Sequence, residues 1–552
     1  PRSRSTIPRK PTSRSASPAR PPAPQMFSTS KAQAKADEVA ATVDGLRTTF
    51  ASGKTLPIAW RRKQLQQLGR MISDNKELWL SAVNQSFEKP LHEVELSETL
   101  LLEVEINEAL SNLDSWTAVE HVPTPVALMP ASSWVEPQPL GVALIIGPCN
   151  YPLYILAGPL IGALAAGCTA VLKPSEACGP VEQAFVSLVP QYLDTEAVKV
   201  ITGGAETVTA LLDQQWDTIV FTGSPRVGKI VAAAAAKHLT PVTLELGGKC
   251  PVVVGPKPGD LAWVAKKLIF GRCFNGGQSC VAPEFVLVPR EQCDGLCAAL
   301  VKEIGDSYGA EPKASPHLAR LIGSGAAARV QAALGEKHGG EVLCGGAVDV
   351  AERYVAPTVV RNPSLSSKLM QDETFAPVIC VLPVDSLDEA IRTAAAVGPK
   401  PLALYVFTGD RAVEEKVLAR LPSGTACVND VLIPFGNTSL PFGGIGTSGM
   451  GRLHGKACFD ACVSKRAVMT KGTSLPSQLL DLQVLLRGAP YAPWKLSVIK
   501  LALHPLVPAL PPRYGYKAAY GCLLMLTLAA LVSEWARVQP WLQGAMEWAR
   551  AA

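Results

Sequence analysis

The stretch from residue 142 to residue 246 predicts an α/β protein built on an open parallel sheet, and two observations carry this. Short apolar runs at 142–146, 170–172, 198–201, 218–221 and 242–246 each reach Gly or Lys within two residues of their ends. Between them, 153–166, 180–192, 205–212 and 229–239 carry Ala and Leu at helical spacing. Strands buried on both faces read as continuous apolar runs, and parallel neighbours need a crossover that a helix supplies. Alternation of the two therefore predicts a sheet with helices on both faces.

The flanking elements follow in chain order. Residues 1–33 are rich in Pro, Ser and Arg and poor in core-forming side chains, so they read as a disordered basic extension or an organelle transit peptide. From about 34 to 110, apolar residues recur at helical spacing among Lys, Glu and Gln, which predicts several amphipathic helices. A second α/β region spans 247–440, with strands expected at 251–254 and 284–288. Residues 440–446 form a glycine-dense loop, and 456–470 alternate enough to predict a strand.

Composition excludes several classes. The chain has 552 residues, 48% hydrophobic and 18% charged, which suits a large globular body. Its formal charge of +5 is misleading, because eight Lys or Arg residues precede the first acid, Asp37. The remainder holds 44 basic against 47 acidic residues, so charge gives no reason to expect a nucleic-acid partner. Fourteen cysteines at irregular spacing and seven scattered histidines form no metal-ligand array, so no metal is expected and a reducing compartment is.

The chemistry-bearing candidates gather at predicted strand ends, where open α/β sheets bind ligands. They are Asn150, Lys173, Gly203-Gly204, Gly223-Ser224 and Glu245 with Gly247-Gly248. Cys280 closes the run Phe274-Asn275-Gly276-Gly277-Gln278-Ser279-Cys280, where small neighbours leave a thiol open to close approach. Singly, Cys280 is an ordinary core thiol, Glu245 a strand carboxylate and Lys173 a strand-end lysine. Convergence on one rim sets them apart. Gly223-Ser224-Pro225-Arg226-Val227-Gly228-Lys229 mimics a nucleotide-triphosphate loop, but Ile230 stands where magnesium needs a hydroxyl. Anion binding at a helix N-terminus survives that mismatch.

The order of the motifs resembles the aldehyde dehydrogenase superfamily over about residues 34–470. The motifs are Gly147-Pro148-Cys149-Asn150-Tyr151-Pro152, Leu172-Lys173-Pro174-Ser175-Glu176, Phe221-Thr222-Gly223-Ser224, Leu244-Glu245-Leu246-Gly247-Gly248-Lys249, Gly277-Gln278-Ser279-Cys280, Glu373-Thr374-Phe375-Ala376-Pro377 and Leu440-Pro441-Phe442-Gly443-Gly444. Asn150-Tyr151-Pro152 and the run from Ser448 to Lys456 look like the class 3, fatty aldehyde branch. Cys149 departs from the family's usual Trp, which bears on pocket shape.

The resemblance implies oxidation of medium- or long-chain aldehydes to acids with NAD or NADP. Cys280 would be the nucleophile, Asn150 an oxyanion donor and Glu245 the hydrolytic base. Lys173 would hold the adenosine ribose and Glu373 the nicotinamide ribose. Phe375 would flank the nicotinamide, with Gly223, Ser224 and Gly228 beside the pyrophosphate. It also implies a Rossmann-like cofactor domain at 34–246 and a catalytic domain at 247–440. A small β oligomerisation element from 119–141 and 441–475 would serve a homodimer. An acylating dehydrogenase is the alternative within enzymes, and a non-catalytic scaffold the alternative outside them.

The tail, 476–552, turns apolar, and 518–533 has no charge. As a helix it would span about 24 Å against the ~30 Å hydrocarbon core, with Tyr and Trp at its flanks. A membrane anchor or interfacial helix is expected, with packing on the body as the alternative.

Overall fold

The computed structural model describes residues 27–503 apart from 126, 127, 129, 476, 477, 479, 480 and 482, and also residue 539. The basic extension up to residue 26 and the apolar tail at 518–533 lie outside the described residues. Five helices come first: α1 (Phe27–Ala51), α2 (Ile58–Ser73), α3 (Lys76–Phe87), α4 (Leu91–Val94) and α5 (Leu100–Thr117). A π-helical turn, Glu95–Thr99, joins the last two. Then come β1 (Glu120–Val122) and β2 (Ser132–Pro139).

The predicted alternation follows: β3 (Val142–Ile146), α6 (Tyr154–Ala166), β4 (Thr169–Lys173), α7 (Gly179–Tyr192), β5 (Val198–Val200), α8 (Ala205–Leu212), β6 (Thr218–Gly223), α9 (Pro225–Ala236) and β7 (Val242–Leu246). Next are β8 (Cys250–Val254), α10 (Leu261–Cys273), β9 (Pro283–Pro289), α11 (Arg290–Tyr308), β10 (Glu341–Cys344), β11 (Val348–Asp349), β12 (Tyr354–Val355), β13 (Thr358–Arg361), β14 (Val378–Val384), β15 (Ala403–Phe407) and β16 (Thr425–Val428). Strands β17 (Gly449–Met450) and β18 (Val463–Thr470) complete the sheets.

The first sheet has the order β17-β7-β6-β3-β4-β5, with β3 to β7 parallel and β17 antiparallel to β7. From β3 the chain steps outward to β4 and β5, then returns to β6 and β7 on the other side. That reversal between β3 and β6 opens the crevice where such sheets take ligands. Along β3, Ala143 and Ile145 join one core, while Val142, Leu144 and Ile146 join another. Period-two alternation thus buries both faces, as the apolar run required. Every residue of α6 is buried, and Gly167 ends it in the left-handed region. The second sheet, β10-β13-β14-β9-β8-β15-β16, is parallel except at β10. β1, β2 and β18 form a third, small antiparallel sheet.

Local chemistry corrects three expectations. Helix α9 begins at Pro225, not at Lys229, because Ser224 caps it and Pro suits the first helical position. Gly228 therefore sits inside the helix rather than in a loop. Residues 456–470 are not all strand: Gly455–Asp460 is helical, and only Val463–Thr470 is extended. Lys173 and Glu245 lie within β4 and β7 rather than past their ends.

Candidate active site

Cys280 stands where α10 gives way to β9. Asn275, Gly276 and Gly277 all take positive φ, at 57°, 61° and 75°, which turns the chain sharply before the thiol. A Cβ on Gly277 would lie 2.3 Å from the Ala376 backbone, so only glycine fits this crossing. Arg272, at the end of α10, fixes the crossing from beneath. Its guanidinium donates to the carbonyls of Ala376 and Gly277, to Thr374 Oγ1 at 3.1 Å and to Glu284 Oε1 at 2.7 Å. Lys249 closes the same cluster by donating to Glu284 Oε2 at 2.6 Å. Burial raises the Glu284 carboxyl, but Arg272 and Lys249 outweigh it and hold its pKa at about 2.

Glu245 reaches the same place from β7. Thr222 faces it across β6, and Gly449 pairs with it across β17. Its side chain is buried, yet neither carboxylate oxygen has a hydrogen-bond partner among the described residues. Burial pushes its pKa well above the ordinary carboxylate range, with Arg452 opposing. Glu245 and Cys280 line one cavity with about 390 Å³ of empty volume, walled largely by Tyr154, Ile155, Pro159, Phe435, Phe442 and Leu453. Burial pushes the Cys280 thiol well above its usual value, and the Glu373, Glu245 and Cys250 charges add to it. The two groups therefore resist carrying negative charge together.

Asn150, in the loop after β3, is buried beside this thiol loop. Its Nδ2 donates to the Gln278 carbonyl at 3.1 Å, leaving one further N–H. Asn275 Nδ2 donates to the Asn150 carbonyl at 2.9 Å, and Asn275 N donates to Glu93 Oε2 at 2.8 Å. Glu98 accepts from Leu153 N and Tyr154 N at the start of α6, and it pairs with fully buried Lys89 at 3.4 Å. The π-helical turn is what presents Glu98 to that helix end. A carboxylate there answers orphan N–H groups and the positive helix pole together.

Beside the thiol cavity runs a cleft of about 1180 Å³, bounded by α9, the Gly247-Gly248 turn, the Glu373 loop and residues 397–401. Gly228 and Glu373 both line it. A Cβ at Gly247 would stand 2.1 Å from Glu373 Oε2, so the carboxylate fills space a side chain would take. Burial and the Glu284 charge push the Glu373 carboxyl up to about 8. Phe375 takes positive φ, 50°, two residues on. Lys173 ends β4 and donates to Glu176 at 3.1 Å; Gly223 ends β6. The Ser224 hydroxyl accepts from Val227 N and is spent as a helix cap.

Residues 10–468 match the family model described as "Aldehyde dehydrogenase family". The chain belongs to the aldehyde dehydrogenase family. Aldehyde dehydrogenase family 3 member B1 of Homo sapiens is 42% identical over 468 residues, covering 85% of this chain and 98% of that protein. Aldehyde dehydrogenase family 3 comG of Dictyostelium discoideum is also 42% identical, covering 82% and 94%. Among solved structures, the substrate-bound state of Staphylococcus aureus AldH superposes with a TM-score of 0.79 at 35% identity, covering 84% of this chain and 99% of that one. A Mycobacterium tuberculosis aldehyde dehydrogenase complexed with NAD+ gives 0.72 at 27%, covering 80% and 91%.

As an aldehyde dehydrogenase the protein is an oxidoreductase acting on aldehydes, with the α/β architecture its sequence predicts. Several residues that build its site carry no sequence signal of their own. Lys89, Glu98, Arg272 and Glu284 are fully or almost fully buried charges, yet nothing in their spacing pairs them. A clue was present in the acid-rich run 93–108, whose Glu93, Glu98 and Glu105 turn inward rather than toward solvent.

Proposed function

We propose that this aldehyde dehydrogenase oxidises medium- or long-chain aldehydes to carboxylic acids, with Cys280 as nucleophile and Glu245 as base. The observation that carries this reading is the shared cavity: an accessible thiol and an unpartnered carboxylate facing one apolar space. Apolar walls suit a hydrocarbon chain, and a carboxylate whose pKa burial has raised is a stronger proton acceptor than an ordinary one.

The reaction follows from these groups. Cys280 sulfur attacks the aldehyde carbon as its proton passes to water. The free Asn150 N–H and the Cys280 backbone N–H answer the oxyanion, each well-placed donor giving roughly 3–4 kcal/mol. NAD or NADP, which Glu373, Gly223, Ser224, Gly228 and Lys173 would hold, would supply the hydride acceptor that lets the adduct on Cys280 become a thioester. Glu245 then takes a proton from water as its oxygen attacks the thioester carbon, and the acid departs with the thiol restored.

The cleft fits the dinucleotide: a helix N-terminus at Pro225, a bare Gly247 and an inward carboxylate at Glu373 offer an anion site and a ribose acceptor. Glu373 would hold the nicotinamide ribose, with Phe375 beside the ring. Gly223, Ser224 and Gly228 would border the pyrophosphate, and Lys173 the adenosine ribose. The apolar segment 518–533 supports membrane attachment. The position of β18 at one edge of the small sheet, unpaired on its outer side among the described residues, supports a homodimer. No helix among the described residues is long and apolar enough to cross a membrane.

Reduced-nicotinamide absorbance with an aldehyde panel tests the reading. Cys280→Ser should lose turnover by on the order of 10³-fold or more while binding cofactor as before. Turnover within tenfold of the parent would end the proposal.

A further inference from the structure

The same cavity holds a second polar group that the reaction above does not use. His454, 6% exposed, lines it together with Glu245 and Cys280. Its ring stacks on Phe442 at 5.0 Å between centroids and meets the edge of Phe435 at 5.3 Å, so its plane is fixed. Nε2 lies 3.1 Å from the Tyr154 hydroxyl, which in turn donates to Glu105 Oε1 at 3.1 Å. Nδ1 is buried and has no hydrogen-bond partner among the described residues.

Burial lowers the His454 pKa to about 4, so the ring is neutral in ordinary buffers. A neutral imidazole has one donor nitrogen and one acceptor, and engaging Nε2 settles which role falls to Nδ1. Pro159, inside α6 on the same wall, has no N–H to give the Ile155 carbonyl one turn earlier. The cavity presents one unanswered ring nitrogen, His454 Nδ1, among largely apolar walls. Leaving a buried polar atom unanswered costs stability, and a ligand atom that answers it recovers that cost.

We propose that His454 is a specificity-determining residue of the aldehyde cavity: its Nδ1 accepts a hydrogen bond from a hydroxyl on the hydrocarbon chain of the substrate. Tyr154 and Glu105 are positioning residues that orient the imidazole. The proposal rests on the aldehyde-oxidising site described above and adds a substrate class: hydroxyl-bearing aliphatic aldehydes in preference to plain ones of equal length.

The test compares octanal with a series of hydroxyoctanals, by kcat/KM in the full chain and by calorimetric binding to the Cys280→Ala chain. The parent should favour at least one hydroxyoctanal, and His454→Phe should erase that preference by about tenfold. His454→Gln, which puts an amide oxygen acceptor at the site, should restore part of it. Tyr154→Phe, which keeps the aromatic packing but frees the imidazole, should weaken it less, and it decides the matter if His454→Phe does not fold. Equal effects on octanal and on every hydroxyoctanal, or no preference in the parent, would overturn the proposal. Preferential binding without oxidation of any aldehyde would instead sink the catalytic reading and leave this one standing.

Discussion

Glu284 takes hydrogen bonds from Lys249, Arg272 and the Thr374 amide and hydroxyl, whereas Glu245, equally buried, takes none among the described residues. One carboxylate is held near a pKa of 2 by two cations, and the other is driven far upward by its apolar walls. The contrast separates construction from chemistry. A fully answered acid fixes backbone, here the crossing of the Gly277 turn with the Glu373 loop. An unanswered acid stores an unmet demand for a proton, and that demand is what a hydrolytic base needs.

The sharpest way to break the comparison is to neutralise each acid in turn. Glu245→Gln should slow steady turnover by about 10²–10⁴ while sparing a first burst of reduced nicotinamide, read by stopped flow. Loss of the burst as well would place Glu245 in the attack step. Glu284→Gln should act on the fold instead. It leaves Arg272 and Lys249 buried without their anion, which costs about 3–5 kcal/mol, read as a lowered melting temperature. A Glu284→Gln chain that melts like the parent would show that the cluster contributes nothing.

The smallest effect is in the pH dependence of melting, where the signs run opposite. Glu284 has a folded pKa below the ordinary 4.5, so its contribution is full above 4.5 and fades as pH falls toward 2. Glu105 has a folded pKa raised by burial to about 8, so its contribution is full below 4.5 and is lost as pH rises through 8. Glu284→Gln should flatten the acid limb of the melting profile and Glu105→Gln the alkaline limb. Unchanged limbs would mean that these groups titrate alike in the folded and unfolded chain.

Much of this was legible in the sequence, and the boundary is physical. β3 and β7 fall at their predicted bounds because doubly buried strands leave an apolar run that no solvent-facing segment shares. Cys280, Glu245 and Asn150 stand out in the sequence through the glycines and turn formers around them, and the structure brings Cys280 and Glu245 to one cavity. Lys89, Glu98, Arg272 and His454 were not found as site builders. Each has its meaning from partners distant in the chain, such as Tyr154 for His454 or Ala376 for Arg272, and no local window holds both halves. Gly228 was misplaced because a glycine in a strand-to-helix turn and one in the helix's first turn look alike until the cap at Ser224 is seen.

The small sheet has a consequence for how this polypeptide is made. β2 pairs along its whole length with β18, from Pro139 against Val463 to Ser132 against Thr470. A ribosome finishes the first of these strands long before it makes the second, so a nascent chain must carry β2 with one bare side through most of its synthesis. Only when the late strand emerges can that side be covered, and a product truncated before Val463 would keep an open edge ready to pair with a stranger.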